Sequence, residues 1–229
     1  MTRPNGLHHL AIATADIKQQ IAFFADVLGM ELVALYWMHG VKGAWHGFMR
    51  LNDGASIAFV ESPAIKDIPR ELGKSHAGNP GAPVAGGAMQ HLALNVDSLD
   101  ELLAMRDRIR LRGVNVFGPV DHGFCQSIYF AGPEDLSLEI STSAEAIDPN
   151  AWIDPEVVTL AGISAAELAR FTAPPAVPPQ ATPVAQPPAD PVRPHMRFPE
   201  RAYAKMLAMS DADYTRLTSE PEPPVKVAR

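Results

Sequence analysis

The chain repeats one order of secondary-structure elements, and this repeat limits its fold more than any other feature does. The second copy starts about eighty residues after the first. Hydrophobic patterns in the first copy predict a strand, a helix and three strands at 8–14, 16–28, 31–39, 44–51 and 55–61. In the second copy they predict the same series at 90–96, 98–112, 114–120, 125–131 and 136–141. The sequence therefore predicts an α+β fold with two tandem βαβββ modules.

Local signals at the ends of the elements support these modules. Asp16 is suited to cap the start of the first helix, and Gly29 is suited to end it in a left-handed conformation. Gly113 ends the second helix in the same way. Asp53 and Gly54 form a turn between two strands, because this pair tolerates positive φ angles. Each module thus contains its own start and stop signals.

The chain changes in character after residue 142. Ser164 and Glu167 form a capping box that predicts a short helix. Nine prolines between residues 173 and 194 exclude a regular helix and favour an extended arm. We predict a first module at 6–62, a connection at 63–87, a second module at 88–142, a short helical extension at 143–172, a Pro-rich arm at 173–198 and an amphipathic C-terminal tail at 199–229. The last two are either a linker with a loosely attached end, or an arm packed across a partner subunit or over the mouth of the site.

Composition excludes several classes of protein. The formal net charge of -7 opposes nucleic-acid binding, because affinity for DNA comes largely from Lys and Arg. The single cysteine, Cys125, excludes an intrachain disulfide and a thiolate cluster for zinc or an iron–sulfur centre. No apolar window approaches the roughly 18 residues of a membrane span, and the N-terminus lacks a secretory signal pattern. We therefore expect a cytoplasmic protein that binds neither nucleic acid nor membrane.

Strand parity predicts a metal site. Side chains alternate between the two faces of a strand. His9, His91 and Glu139 lie opposite the apolar residues that must face the helices, so all three belong to a small, polar face. Two imidazoles and one carboxylate are the ligand set of a mononuclear non-haem iron(II) site. These three residues are therefore the predicted metal ligands, and their face is the predicted floor of a pocket.

Three sequence features resemble one known family. They are the duplicated βαβββ order, the His-x-Ala pattern at His9 and His91, and the pattern Tyr-Phe-x-x-Pro-acid-x-x-x-Leu-Glu that ends at Glu139. Together they resemble the vicinal oxygen chelate superfamily over about residues 6 to 142. Its members include glyoxalase I, extradiol ring-cleaving dioxygenases, epimerases, thiol transferases and metal-free antibiotic-binding proteins. The resemblance implies that two modules curl one continuous mixed sheet around a metal held by His9, His91 and Glu139.

The resemblance also favours one reaction within that family. Glyoxalase-like members add a fourth ligand, a carboxylate on the fourth strand, and Ala58 occupies that position here. Glu61 has the wrong parity and is expected at a solvated strand end. Three ligands leave open metal positions that suit a chelating diol and dioxygen. This pattern resembles the extradiol dioxygenases, in which a tyrosine ten residues before the glutamate ligand points at the substrate, and Tyr129 stands at that distance before Glu139.

The chain departs from the extradiol pattern in two places. Those enzymes have an acid–base histidine near the start of the fourth strand, where residues 55–56 are Ala and Ser here. His122, His76 and His46 are the candidates to replace it. The turn at 132–135 reads Gly-Pro-Glu-Asp, where the family commonly has Asp-Pro-Asp-Gly. The predicted catalytic residues are Tyr129, His122 and His76.

Three functions remain open from the sequence. The leading hypothesis is an iron(II)-dependent, ring-cleaving dioxygenase of a small catecholic or hydroquinone-like compound. The second is a lyase, isomerase or epimerase that uses manganese, nickel, cobalt or zinc as a Lewis acid. The third is a metal-free protein that binds a small molecule. A homodimer is expected, because pairing would bury the apolar residues of the arm. Four side chains either line a slot for an aromatic ring or pack in the core: Trp37, Trp45, Phe48 and Met49.

Overall fold

The structure, a computed structural model, describes residues 3–226 and divides them into two compact units. The first unit is Pro4–Pro174, and the second contains Arg3 and the described residues from Pro175 onward. The first unit consists of two tandem βαβββ modules, each with a four-stranded mixed sheet, followed by short helices. The predicted α+β fold class is confirmed.

The first module follows the predicted order. It contains β1 (His9–Thr14), α1 (Ile17–Ala22) with one π-helical turn after it (Phe23–Val27), β2 (Glu31–Trp37), β3 (Trp45–Asn52) and β4 (Ala55–Glu61). The strands lie in the order β1-β4-β3-β2, with β1 parallel to β4 and the other pairs antiparallel. The side chain of Asp16 accepts from the backbone N–H of Gln19 at 2.9 Å, which caps α1. Gly29 ends the helical segment at a φ of 82°.

The second module repeats this architecture after a connection that contains α2 (Pro63–Lys66). It contains β5 (Leu92–Asn95), α3 (Leu99–Leu111), β6 (Val116–Asp121), β7 (Gln126–Ala131), a short 3-10 turn (Pro133–Asp135) and β8 (Ser137–Thr142). The strand order is β5-β8-β7-β6, with β5 parallel to β8. Ser98 caps α3 by accepting from the backbone N–H of Glu101 at 3.2 Å. His91 lies one residue before the first residue of β5.

Each module keeps its own sheet. Across residues 3–226 no hydrogen-bonded strand pair joins the two sheets, so the single continuous sheet that the resemblance implies is not formed within this chain. β1 and β5 are both edge strands, and among the described residues each pairs with the last strand of its own module. The modules meet through side chains and loops instead.

One apolar core runs through both modules. The helices cover one face of each sheet, since α1 packs on β3 and β4, and α3 packs on β6, β7 and β8. Phe24 and Phe59 are fully buried in the first module, and their rings meet edge to face at 5.0 Å between centroids. Leu102 and Ile109 are fully buried in the second. The predicted site residues lie on the opposite face of each sheet.

The modules are tied together by Glu134. Its carboxylate accepts from Thr14 Oγ1 at 2.6 Å, from the backbone N–H of Ala15 at 2.9 Å and from Gln20 Nε2 at 3.0 Å. Glu134 has a φ of 56°, so the turn before β8 is left-handed at this residue and directs its side chain onto the first module. A second tie is Arg108, whose Nε donates to the backbone oxygen of Val27 at 2.8 Å.

Short helices follow the second module: α4 (Pro149–Trp152), α5 (Pro155–Leu160) and α6 (Ala165–Thr172). The predicted capping box is present at α6, where Ser164 and Glu167 bond to each other's backbone N–H. The second unit contains the Pro-rich segment, which forms no helix or strand up to residue 199, and then α7 (Glu200–Leu207) and α8 (Asp211–Thr218). The predicted tail at 199–229 ends at residues 227–229, which lie outside the described residues. None of the helices among residues 3–226 is both long and apolar enough to cross a bilayer.

Candidate metal centre

The strand register of the second module brings the predicted residues to one face. Glu139 of β8 stands opposite Tyr129 of β7 and opposite Ala93 of β5. Ser141 stands opposite Ser127 in the same way. Since side chains alternate along a strand, these residues lie on the face that α3 does not cover. This face is polar, whereas the covered face carries leucine, isoleucine and phenylalanine.

His91 and Glu139 meet on this face. His91 Nε2 lies 2.9 Å from Glu139 Oε2, and the Glu139 side chain is only 7% exposed. The other ring nitrogen, Nδ1, contacts the side-chain oxygen of Gln90. Because an amide oxygen only accepts, Nδ1 is the donor in that contact, and it orients the ring so that Nε2 points at the carboxylate. One imidazole nitrogen and one carboxylate oxygen thus converge, as two ligands of one metal must.

Hydroxyl groups keep Glu139 ionised. Burial alone raises the pKa of this carboxyl group, but the hydroxyls of Ser127 and Ser141, and then the charge of His91, lower it more. The net result is a pKa below the ordinary value of a glutamate. Ser141 Oγ donates to Glu139 Oε1 at 2.6 Å. The carboxylate is therefore already in the deprotonated form that a metal ligand requires.

Tyr129 and His122 form a pair beside Glu139. The hydroxyl of Tyr129 lies 2.7 Å from His122 Nε2. Burial is the main reason that the pKa of Tyr129 is raised, and the nearby negative charge of Glu139 adds to it. The phenol therefore stays protonated at neutral pH and can act as a hydrogen-bond donor. The structure brings two of the three predicted catalytic residues together, next to two of the three predicted metal ligands.

His9 lies on the corresponding face of the first module. It stands opposite Ser56 of β4, and its ring centroid is 5.4 Å from that of Phe48 and 6.2 Å from that of His46. Its Nδ1 lies 2.9 Å from His8 Nδ1. Further side chains of this face follow from the register of β2, β3 and β4: Tyr36, Arg50 and Ala58. The face combines imidazole and aromatic rings.

His46 lies on this face and is not among the catalytic residues predicted from the sequence. Its Nε2 is buried and has no hydrogen-bond partner within the described chain. Burial, followed by the proximity of His9 and His39, lowers the pKa of His46, so the ring is neutral at pH 7. Its parity on β3, which matches that of Phe48, was the available sequence signal. A neutral imidazole with a free buried nitrogen is suited to accept a proton.

The structure of one chain does not bring all three predicted ligands together. His9 contacts the aromatic residues of its own sheet, whereas His91 contacts Glu139. Within residues 3–226 no group of three His, Cys, Asp or Glu side chains is arranged to hold a metal. The donor set nevertheless fits a divalent metal in its chemistry, because two imidazoles and an ionised carboxylate lie on matching faces of two matching modules.

His76 lies elsewhere in the molecule. It lines a cleft of about 370 Å³ together with Lys66, Arg70 and Glu134, and none of the predicted ligands lines this cleft. Its Nδ1 lies 2.9 Å from Ser75 Oγ. The cleft is at the end of β1, near the contact between the modules. The structure therefore separates His76 from Tyr129 and His122.

The positions of Ala58 and Glu61 decide the number of ligands. Ala58 is fully buried and stands opposite Ala11 and Phe48, so the fourth strand offers no carboxylate to the face of His9. Glu61 has the opposite parity, as predicted. The expectation that it is solvated is wrong, because it is 5% exposed and accepts from the backbone N–H of Ile17 at 2.8 Å. It supports the start of α1 rather than a metal.

The aromatic residues separate between the two faces. Phe48 lies on the face of His9, and its ring is stacked with that of Tyr36 at 6.2 Å. Met49 is fully buried in the core, so it does not line a ring slot. Trp37 and Trp45 pair with each other on the opposite face and remain partly exposed. Of the four candidates for a ring slot, only Phe48 lies on the same face as a predicted ligand.

Comparison with known proteins identifies the family. The model of the Glyoxalase/Bleomycin resistance protein/Dioxygenase superfamily matches residues 6–140, and the chain belongs to this superfamily. Many of its members are metalloenzymes. The uncharacterized protein YaeR of Escherichia coli (strain K12) is 27% identical over 136 residues, which are 58% of this chain and 93% of that protein.

Solved structures are similar at lower identity. A glyoxylase/bleomycin resistance protein/dioxygenase domain from Frankia sp. EAN1pec is 15% identical with a TM-score of 0.49, and the match covers 62% of this chain and 99% of that one. The fosfomycin resistance protein FosX from Listeria monocytogenes, solved with Mn(II) and sulfate, is 19% identical with a TM-score of 0.42. That match covers 62% of this chain and 95% of FosX.

Proposed function

We propose that this chain is the subunit of a metal-dependent enzyme whose metal ligands are His91, Glu139 and His9. The observation that carries the proposal is the 2.9 Å approach of His91 Nε2 to an ionised, buried Glu139 on an open sheet face. A divalent metal bound there would act as a Lewis acid toward a chelating pair of substrate oxygens and, as iron(II), would also activate dioxygen. We favour iron(II) because two imidazoles and one carboxylate are the ligand set of such enzymes.

We propose further that two copies of the chain share each metal centre. His9 is exposed on one sheet, and His91 and Glu139 lie on a second sheet that makes no strand pair with the first. A two-fold pairing would bring His9 of one copy to His91 and Glu139 of the other, and would form two equivalent centres. Phe117 supports this pairing, since it stands opposite Tyr129 on the open face and is 73% exposed. A second copy would cover this ring.

The reaction that we propose is ring cleavage of a small catecholic or hydroquinone-like substrate by dioxygen. Ala58 at the fourth-strand position supports it, because a three-ligand metal keeps positions for both the substrate and oxygen. The protonated hydroxyl of Tyr129 would donate to a substrate oxygen. His122 Nε2, at 2.7 Å from that hydroxyl, would donate to the phenol oxygen while Tyr129 donates to the substrate, and would supply the replacement proton when Tyr129 gives up its own. Phe48 and Tyr36 would provide an aromatic surface for the ring.

The test is oxygen uptake by the iron-loaded protein. We expect anaerobically iron(II)-loaded protein to consume oxygen with at least one diol from a panel of catechols and hydroquinones, and to form a ring-opened product. Tyr129→Phe is expected to lower kcat by roughly a hundredfold, because it loses the donated hydrogen bond. Tyr203→Phe, in α7 of the second unit, is the matched control and should leave kcat unchanged. Iron-loaded protein that opens no ring in the whole panel would contradict the dioxygenase.

A second reaction type is favoured by His46. Its buried, unpartnered Nε2 beside His9 would serve as a general base in a lyase, isomerase or epimerase that needs no oxygen. Such an enzyme would use manganese, nickel, cobalt or zinc as a Lewis acid. Metal analysis of freshly purified protein separates the two, because a redox-silent metal with turnover under argon supports the second reaction. Ligand binding that survives both His9→Ala and His91→Ala would instead support a metal-free binding protein.

A further inference from the structure

We infer that Ser141, supported by Ser127, is a positioning residue that holds the Glu139 carboxylate with one chosen oxygen turned toward the metal. This inference rests on the proposed metal centre and goes beyond it. It assigns roles to two hydroxyl groups on neighbouring strands that are not themselves metal ligands. Ser141 would determine which oxygen of Glu139 binds the metal. Ser127 would hold the hydroxyl of Ser141 in position.

The two oxygens of Glu139 have different partners. Oε1 accepts from Ser141 Oγ at 2.6 Å, whereas Oε2 lies 2.9 Å from His91 Nε2. The carboxylate is thus held from one side by a hydroxyl and presented on the other side to the imidazole. Because the bond to Ser141 occupies Oε1, Oε2 is the oxygen that stands beside the other ligand atom. Bonds of this kind to a ligating carboxylate set its orientation and its affinity for metal.

The direction of the hydrogen bonds follows from their chemistry. An ionised carboxylate only accepts, so the single hydroxyl hydrogen of Ser141 points at Glu139. Ser127 Oγ lies 2.9 Å from Ser141 Oγ and also hydrogen-bonds to the Glu139 carboxylate, whose pKa it lowers, so its single hydrogen serves either Ser141 or Glu139. Cys125 Sγ lies 3.7 Å from Ser127 Oγ and can donate to it in turn. The result is a group of neighbouring donors beside the Glu139 carboxylate, of which Ser141 contacts Oε1.

Burial makes this group of donors difficult to replace with water. Ser127 is fully buried, and Glu139 is 6% exposed. Ser141 follows Glu139 by two residues on β8, so both side chains point to the same face. Ser127 is the cross-strand neighbour of Ser141 on β7. The sheet register alone thus brings the two hydroxyls together, and removal of either leaves a polar group with one partner fewer.

The test measures the dissociation constant of Mn(II), titrated into the full-length, metal-free protein by calorimetry. We expect Ser141→Ala to weaken Mn(II) binding by about 10- to 100-fold. Ser127→Ala should weaken it less, because Ser141 can still donate to Glu139. Ser141→Thr keeps the hydroxyl on a strand-compatible side chain, and it should restore binding to within about threefold of the wild type.

Ser137→Ala is the matched control. Ser137 stands on the same strand and face, two residues before Glu139, and is 5% exposed. Its hydroxyl makes no hydrogen bond to Glu139 in the described part of the chain, so its removal should leave Mn(II) binding unchanged. The absorption spectrum of bound Co(II) gives a second measurement, since it reports the ligand arrangement directly. It should change in Ser141→Ala and not in Ser137→Ala.

The outcomes separate this inference from the proposed function. A wild-type protein that binds no divalent metal would refute both. A wild-type protein that binds Mn(II), with Ser141→Ala binding equally well, would refute the inference alone. A Ser141→Thr variant as weak as Ser141→Ala would also overturn it, because loss of packing would then explain the effect. Should Ser141→Ala fail to fold, the Mn(II) affinities of Ser127→Ala and Ser141→Thr are compared with that of Ser137→Ala. Weaker binding in Ser127→Ala, with nearly normal binding in Ser141→Thr, supports the inference. Equal binding in Ser127→Ala and Ser137→Ala overturns it.

Discussion

Three glutamates show what a single residue's position in the sequence reveals. Parity alone predicts that Glu139 faces the open side of its sheet, and the register confirms this face. Parity also separates Glu61 from that side, but it does not reveal that Glu61 is buried at the start of α1. The role of Glu134 depends on a left-handed turn and on how the modules pack, so no local pattern could indicate it.

Glu134→Gln should weaken the contact between the modules. The variant keeps the size of the side chain but loses the charge that three donors contact. We expect the free energy of unfolding at pH 7, measured with urea, to fall by about 1–3 kcal/mol. Asp135→Asn, at the half-exposed neighbour, is the control and should cost less than about 0.5 kcal/mol.

The lowered pKa of Glu134 determines in which direction the stability of the protein changes with pH. Burial raises the pKa of Glu134, but the bonds from Thr14, Gln20 and Ala15 and the charge of Arg70 outweigh it, so the folded-state pKa is lower than normal. The stabilisation is therefore complete above the unfolded-state pKa and is lost as the pH falls through the folded-state pKa. Glu134→Gln should show a shallower loss of stability in acid than the wild type. Equal slopes would contradict this account.

The ends of the helices and strands show which features depend on local sequence patterns and which depend on packing. The sequence predicts that Gly29 and Gly113 end the two helices, and both have a positive φ, of 82° and 79°. The exact start of β5 and the π-helical turn after α1 were not predicted, because they depend on the contacts of each segment with its sheet. Strong local signals thus located the elements, and tertiary contacts adjusted their limits.

Gly29→Ala should destabilise the protein more than Gly113→Ala. Both substitutions place a Cβ atom on a left-handed residue, which costs about 1–2 kcal/mol in each case. At Gly29 the new Cβ would also lie 2.9 Å from Cζ of Arg108, which ties the modules together, whereas Gly113 faces open space. Gly86→Ala, with neither constraint, is the control for urea unfolding. Equal losses at Gly29 and Gly113 would show that the contact with Arg108 adds nothing.

At the scale of the whole molecule, the two sheet faces that carry the predicted ligands belong to different modules. Each module covers one sheet face with its helix and leaves the other face open, and the predicted ligands are divided between the two open faces. The ties through Glu134 and Arg108 connect the modules away from these faces. A pairing of two copies is the arrangement that we propose to complete the ligand set.

Mixed dimers test whether copies share the centre. His9→Ala and His91→Ala chains should each lose metal binding when purified alone. Co-expressed at equal amounts, half of the dimers would be mixed, and each mixed dimer would keep one intact centre, so about a quarter of the wild-type metal content should return. Co-expression of His91→Ala with Glu139→Ala is the control and should restore nothing, since both changes affect the same half. No recovery in the first mixture would place all three ligands in one chain.

The sequence by itself determined the two-module architecture and the face that each candidate residue occupies. It could do so because helix and strand periodicities, capping residues and turn glycines are local, and because a strand's parity assigns every side chain to a face. Tertiary structure alone decided the hydrogen-bond partners of Glu139, the separation of His76 from Tyr129 and the tie made by Glu134. These depend on strand register and on how the modules pack, which bring together residues that are far apart along the chain.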